Sequence, residues 1–374
     1  MFCVADHFEP LEVLRRDGGP GKPLEHVGDW ERRLRLVEEW ASMYPEATRG
    51  LKDGDGCSPR HTFFCAPDDY ENSYLEKIAE LCADGFGEVE IHLHHRGDTP
   101  EGLGAKLCAF RDELRRRHGL LGNWRREASP GLVLGGGGGF GCHAGSIAYG
   151  FVHGNWALCN SRPDRDWCGV NEELRVLAAT GCYADFTFPS APSPTQPRMV
   201  NCIYRAWDRP CGRGAEKGSR CRVGTAGNTR PAAADPAYPL MIVQGPLSLL
   251  WKRRKWGILP RLDNGAITHF NPPTPERVDA WVRQQIHIKG RPEWVFVKVH
   301  AHGAIPSTSR IFLRGAMRRA WEYLLTSYND GERWRVHFVT AREMYNIIRA
   351  AEDGRGGDPA QYRDYQITPC PRSL

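Results

Sequence analysis

Apolar and polar positions alternate along residues 88–96. Val89, Ile91 and Leu93 fall on one side of an extended chain, Glu90, His92 and His94 on the other, and His95 lies where the strand should end. Other apolar runs predict further strands at 1–5, 61–65, from Tyr149 onward, 182–188, 201–206, 240–244, 294–300 and 334–338. Between them the spacing turns helical. Trp30, Leu34, Val37 and Trp40 mark a helix over 29–43, and further helices are predicted over 71–83, 102–117, 171–181, 274–287 and 315–328. Gly85, Gly119 and Gly181 supply stops. Thr274 before Pro275 predicts a hydroxyl cap with proline in the first turn, and Thr340 with Glu343 forms a capping box for a last helix ending near Ala351. Strands alternating with helices imply an α/β fold with parallel strands and right-handed crossovers.

With 374 residues and no visible linker, one elaborated domain over 1–352 is expected, followed by an extension over 353–374. Two excursions interrupt it. Residues 122–150 carry a five-glycine run at 135–139 that lacks phosphate-loop spacing, and residues 208–236 are rich in Arg, Gly, Ala and Pro. A net charge of +5 is too small for a nucleic-acid binder, and the densest basic run, 251–256, is short. No apolar stretch reaches the roughly 18 residues of a membrane span. With Met1 as the natural start, no signal segment precedes the first strand and a cytoplasmic location is expected. The 13 cysteines show no paired framework. Cys82, Cys108 and Cys182 read as small buried hydrophobes of a reducing compartment, and Cys211 with Cys221 is a weak metal-binding pair.

The chemistry gathers at strand ends. Asp6 and His7, then His92, His94 and His95, then His153 and Asn155, then Asp185, then His300 and His302 each close a predicted parallel strand. In barrel-like α/β folds those ends share one face, where active sites are built. Histidines with a carboxylate suit one divalent ion, zinc or similar, with a position left open. The surplus imidazoles can act as acid, base or oxyanion donor, so a metal-activated water attacking a carbonyl fits the inventory.

In layout the chain resembles a divergent branch of the NodB-homology polysaccharide deacetylases, carbohydrate esterase family 4. The residues that carry the resemblance are Asp6, the Thr62-Phe63-Phe64 strand, Glu90-Ile91-His92, Tyr183 and Asp185 before Phe186 to Pro189, and His300. The resemblance implies a distorted, incomplete (β/α) barrel with long loop insertions. It implies a metal-dependent hydrolase, usually a zinc enzyme, that removes an N- or O-linked acetyl group from an acetylated carbohydrate. Asp6 would be the base and His300 the acid, with His302 a close rival. His92 would bind the metal, with His7 or Asp6 in place of the family's ligating Asp. Arg96 stands where the second ligating histidine is normally found, which leaves His94 or His95 for that role. His153, Asn155, Trp156 and Asp185 would contact substrate, and Trp167 and Trp251 would help to hold sugar rings. Two alternatives stand beside this one: a metal-dependent amide or ester hydrolase acting on a non-sugar, and a carbohydrate-binding protein without turnover.

Overall fold

The structure is a computed structural model that describes residues 1–10, 27–125, 147–225 and 239–370. Its strands are β1 (Phe2–His7), β2 (His61–Cys65), β3 (Gly87–Leu93), β4 (Gly122–Trp124), β5 (Ile147–His153), β6 (Cys182–Asp185), β7 (Ile203–Ala206), β8 (Gly218–Arg220), β9 (Leu240–Val243), β10 (Ser248–Lys255), β11 (Leu259–Asp263), β12 (Ala266–Ile267), β13 (Val297–Ala301) and β14 (Ile367–Thr368). Its helices are α1 (Val27–Thr48), α2 (Asn72–Ala83), α3 (Pro100–His118), α4 (Glu173–Ala179), α5 (Pro275–Val282), α6 (Pro306–Leu313), α7 (Ala316–Tyr328) and α8 (Ala341–Glu352).

The main sheet runs β12-β13-β1-β2-β3-β5-β6-β9-β7-β8. Every pair from β12 to β9 is parallel, and β7 is antiparallel to both β9 and β8. The expected α/β class with a mostly parallel sheet is therefore present. Among the described residues the strand path is open at β12 and β8. Winding in chain order outward from β1, with β13 returning to its other side, brings the ends of β1, β3, β5 and β13 to the same edge of the sheet.

Alternation along each strand separates two buried clusters. Phe2, Val4, Val89, Ile91, Leu93, Val297 and Val299 pack toward the outer helices, against Val37, Trp40 and Tyr44 of α1 and Trp321 of α7. Cys3, Ala5, Phe64, Val152, Ala184 and Met241 line the opposite, inner face with Met344, Ile347 and Ile348 of α8. Each Val, Leu, Ile, Phe or Met among them stabilises the fold by about 1.5–3 kcal/mol when fully buried.

Several local expectations change. Residues 334–338 form no strand. Phe338 makes a single bridge to Phe2, because β2 joins β1 only from Ala5 onward and little free edge remains. The helix expected over 274–287 stops at Val282, and the Thr274 hydroxyl makes no cap bond. The helix expected over 171–181 runs only from Glu173 to Ala179, and the side chain of its N-cap residue Glu172 does not cap it. Asp208, from the second excursion, accepts the N–H groups of Leu174 and Arg175 at 2.9 and 2.8 Å instead. The Thr340–Glu343 capping box is present at α8. The basic run 251–256 lies largely in β10, which pairs with β11 as a separate ribbon. The chain beyond 352 packs back, with Asn346 donating to the carbonyls of Arg363 and Ile367, both at 2.7 Å, and β14 pairing with β4. Cys82 and Cys182 are free, but Cys108, expected as a free thiol, is disulfide-bonded. The five-glycine run at 135–139 lies outside the described residues. Among those residues no helix is long and apolar enough to cross a membrane.

Candidate metal centre

β1 ends at His7, and Glu9 follows two residues later. Glu9 is the hub of the inner-face cluster. Its Oε1 lies 3.3 Å from His92 Nε2 and 3.4 Å from His94 Nε2, and its Oε2 lies 3.2 Å from His302 Nδ1. The His7 ring sits between, with centroids 4.9 Å from His92 and 4.8 Å from His302. Two sets of potential ligands, His7–Glu9–His302 and Glu9–His92–His94, thus share one carboxylate.

His92 tests whether a cation belongs here. Its Nδ1 lies 2.8 Å from the Val152 carbonyl and must donate to it. Nε2 is buried, without a hydrogen-bond partner among the described residues, and turned toward a carboxylate oxygen. A buried carboxylate against an imidazole nitrogen needs positive charge in this dry site, and a cation held by both would supply it. The donor set of imidazoles and a carboxylate is that of zinc and similar divalent ions. Burial pushes the Glu9 carboxyl up, but His92, His302 and His94 together outweigh it and hold the group well below its usual range. Burial, with His302 and His92 close by, holds His7 well below the usual imidazole value and favours its neutral form.

The other expected site residues lie as follows. Asp6 is fully buried. Its Oδ2 is bonded to His61 Nε2 at 2.7 Å and its Oδ1 accepts the Gly303 N–H at 2.5 Å. It thereby fixes the turn that carries His302. His300 points inward from β13 and is buried, and burial with the Lys298 charge holds it well below the ordinary imidazole range. His94 joins His92 at Glu9. His95 and His153 are brought together on the helix side, with ring centroids 4.6 Å apart. Asn155 is exposed and Trp156 half-buried, in a turn where both adopt positive φ. The preceding Gly154 lies against the His94 ring, so these two residues border the cluster. Asp185 is fully buried, accepting from Thr187 N–H at 3.1 Å and Thr187 Oγ1 at 2.6 Å. Trp167 stacks under Arg96 at 5.4 Å, and Trp251 is 64% exposed on β10.

Sequence reasoning missed Glu9, Cys168 and Glu173. The signal for Glu9 was its spacing of two from His7, which puts both on one face if the chain stays extended.

Comparison with protein-family models and with curated protein sequences finds no match.

Proposed function

We propose that the chain is a metal-dependent hydrolase that removes an acetyl group from a carbohydrate, built on an incomplete (β/α) barrel of the NodB-homology type. The observation that carries this is the buried Nε2 of His92, without a hydrogen-bond partner among the described residues, set against Glu9 Oε1 beside His94. Glu9, His92 and His94 would hold one divalent ion, zinc by donor type, with His7 adjacent. When bound, such an ion supplies Lewis acidity toward an acyl carbonyl and lowers the pKa of water.

The chain's own groups do the rest. His302 donates its Nδ1–H to Glu9, so Nε2 is the nitrogen left to take or give a proton. Its side chain is 30% exposed, against 1% for His92, so it is open to a substrate. Asp6 keeps His302 in place through the Gly303 N–H. His300, buried and held neutral, lies on the same face. Asn155 and Trp156 form a rim on which a sugar ring can stack and hydrogen-bond.

The test is acetate release from N-acetylated and O-acetylated oligosaccharides by chelator-treated protein, before and after zinc is restored. Release that appears only with zinc is expected. Full release by the metal-free protein, or none from any acetylated sugar by the loaded protein, overturns the proposal. Hydrolysis of simple amides or esters alone would point to a non-sugar substrate.

A further inference from the structure

The histidines closing β3 and β5 are divided between the two faces of the sheet. Val152 belongs to the inner cluster and Phe151 to the helix-side one, so His153 falls on the helix side. There it meets His95, from just beyond β3, Cys168, and Glu173 at the start of α4. One donor atom from each lies within 4.8 Å of the others. His153, Cys168 and Glu173 are 0% exposed and His95 is 4% exposed.

Glu173 Oε1 is 3.1 Å from His95 Nε2 and 3.3 Å from His153 Nε2, and Oε2 is 3.3 Å from Cys168 Sγ. Donors placed tetrahedrally about 2.0–2.3 Å from one ion are about 3.3–3.8 Å apart, a spacing the four groups would reach by closing in from their 4.8 Å limit. The protonation pattern points the same way. His153 Nδ1 lies 2.6 Å from the Gly154 carbonyl and donates to it. Nε2 is therefore a bare lone pair, buried, without a hydrogen-bond partner among the described residues, and facing a carboxylate oxygen.

The surroundings also suit a metal. The Val170 N–H points at Cys168 Sγ at 3.4 Å, while burial and Glu173 hold the thiol well above its usual pKa, so a bound ion would displace its proton. His95 Nδ1 is buried 3.5 Å from Asp98 Oδ2 without a hydrogen bond among the described residues. The Cys159 N–H donates to Glu173 Oε2 at 2.6 Å, and the Asp208 cap on α4 keeps Glu173 in place. The group Asp55–His337–Asp358 offers a contrast. Arg335 and Arg363 already pair with its carboxylates, so it needs no added cation.

We propose that His95, His153, Cys168 and Glu173 form a second metal site, distinct from the Glu9 cluster, which takes a zinc-type divalent ion with four protein ligands. Four protein donors and full burial leave no open position, which makes the site structural. It ties the loop after β5 and the start of α4 to the end of β3. By fixing His153 it also sets Gly154 against His94.

Cobalt(II) is the probe. The full chain, stripped of metal, is titrated with cobalt and followed by absorbance and bound-metal content. The Glu9 cluster contains no cysteine, so a thiolate-to-cobalt charge-transfer band in the near ultraviolet reports the second site alone, whether or not the first site binds or catalyses. The band is expected in the wild-type chain, in Cys211→Ser, which removes the exposed thiol, and in His92→Ala. It should vanish in Cys168→Ser with the loss of one bound equivalent. His153→Gln is the independent arm should Cys168→Ser not fold, and it should lose the same equivalent. Absence of the band at saturating cobalt in the wild-type chain overturns the proposal, as does an unchanged band and stoichiometry in a folded Cys168→Ser or His153→Gln protein.

Discussion

His92 donates its Nδ1–H to the Val152 carbonyl at 2.8 Å and turns Nε2 to Glu9 Oε1 at 3.3 Å, where no hydrogen bond forms. That pairing makes Glu9→Gln the most direct variant of the candidate centre. The change keeps size and removes the charge that binds a cation. Zinc affinity, followed by competition with a chromophoric chelator, should fall by more than the roughly 10–100-fold typical of losing a supporting group. Unaltered affinity would remove Glu9 from the site.

Gly154 supplies a subtler variant. A Cβ placed there would lie 2.0 Å from His94 Cδ2 and 2.6 Å from its Nε2, so the imidazole must swing away from Glu9. Gly154→Ala should therefore weaken zinc binding by about 10–100-fold while the fold persists, since the ring is the mobile partner. A zinc titration alongside a circular dichroism spectrum separates the two effects. Wild-type affinity would show that His94 is not a ligand.

The Asp6–Gly303 contact is tighter still. A Cβ on Gly303 would fall 2.0 Å from Asp6 Oδ2 and 2.8 Å from Trp40 Cζ2, and both side chains are fully buried. Gly303→Ala should cost about 1–3 kcal/mol in urea unfolding, the range for overpacking a core. It should also lower activity by displacing His302. A variant as stable as the wild type would mean that this turn yields freely.

How far these features were legible in the sequence depends on how local they are. Alternation is local, so the division of Val89, Ile91 and Leu93 from Glu90 and His92 was visible at once, and both cores follow it. The choice between His94 and His95 was not visible, because it depends on where the strand stops. β3 ends at Leu93, and the next two residues turn to different faces. Glu9 was hidden because Pro10 made its surroundings look like a turn. Cys168 and Glu173 were hidden for another reason. The loop that delivers them holds Asn155, Trp156, Cys159, Asn160, Arg165 and Trp167 at positive φ, and no periodicity encodes such a path. The strand expected over 334–338 failed because alternation reports a buried face but not a free edge to pair with.

His302 is the imidazole of the Glu9 cluster most open to solvent, and its Nδ1 is already engaged. His302→Asn should lower kcat on an acetylated sugar by about 10²–10⁴-fold, the usual contribution of a general acid or base. Zinc content should stay at the wild-type level, and the limb of the pH–rate profile that reports this group should flatten. Loss of zinc with loss of rate would instead make His302 a ligand.

Asp185 and Lys298 carry opposite pH signatures in folding. Burial raises the Asp185 carboxyl from 3.8 to about 7, so the folded chain keeps a proton that the unfolded chain has released. Its contribution is fully present below pH 3.8 and is lost as pH rises to about 7. Burial lowers the Lys298 ammonium from 10.5 to about 8, although its Nζ donates to the Phe186 and Phe188 carbonyls at 2.6 and 2.5 Å. That group makes the folded chain gain stability as pH rises from about 8 to 10.5. The stability of Asp185→Asn relative to wild type should therefore climb between pH 3.8 and about 7 and then level off, whatever the other groups do. Lys298→Met should show its largest advantage below about pH 8 and lose it above. Urea midpoints measured across this range on metal-free protein provide the check. A difference between Asp185→Asn and wild type that is flat from acid to neutral pH would mean that Asp185 is ionised in the folded chain, paired with Lys298.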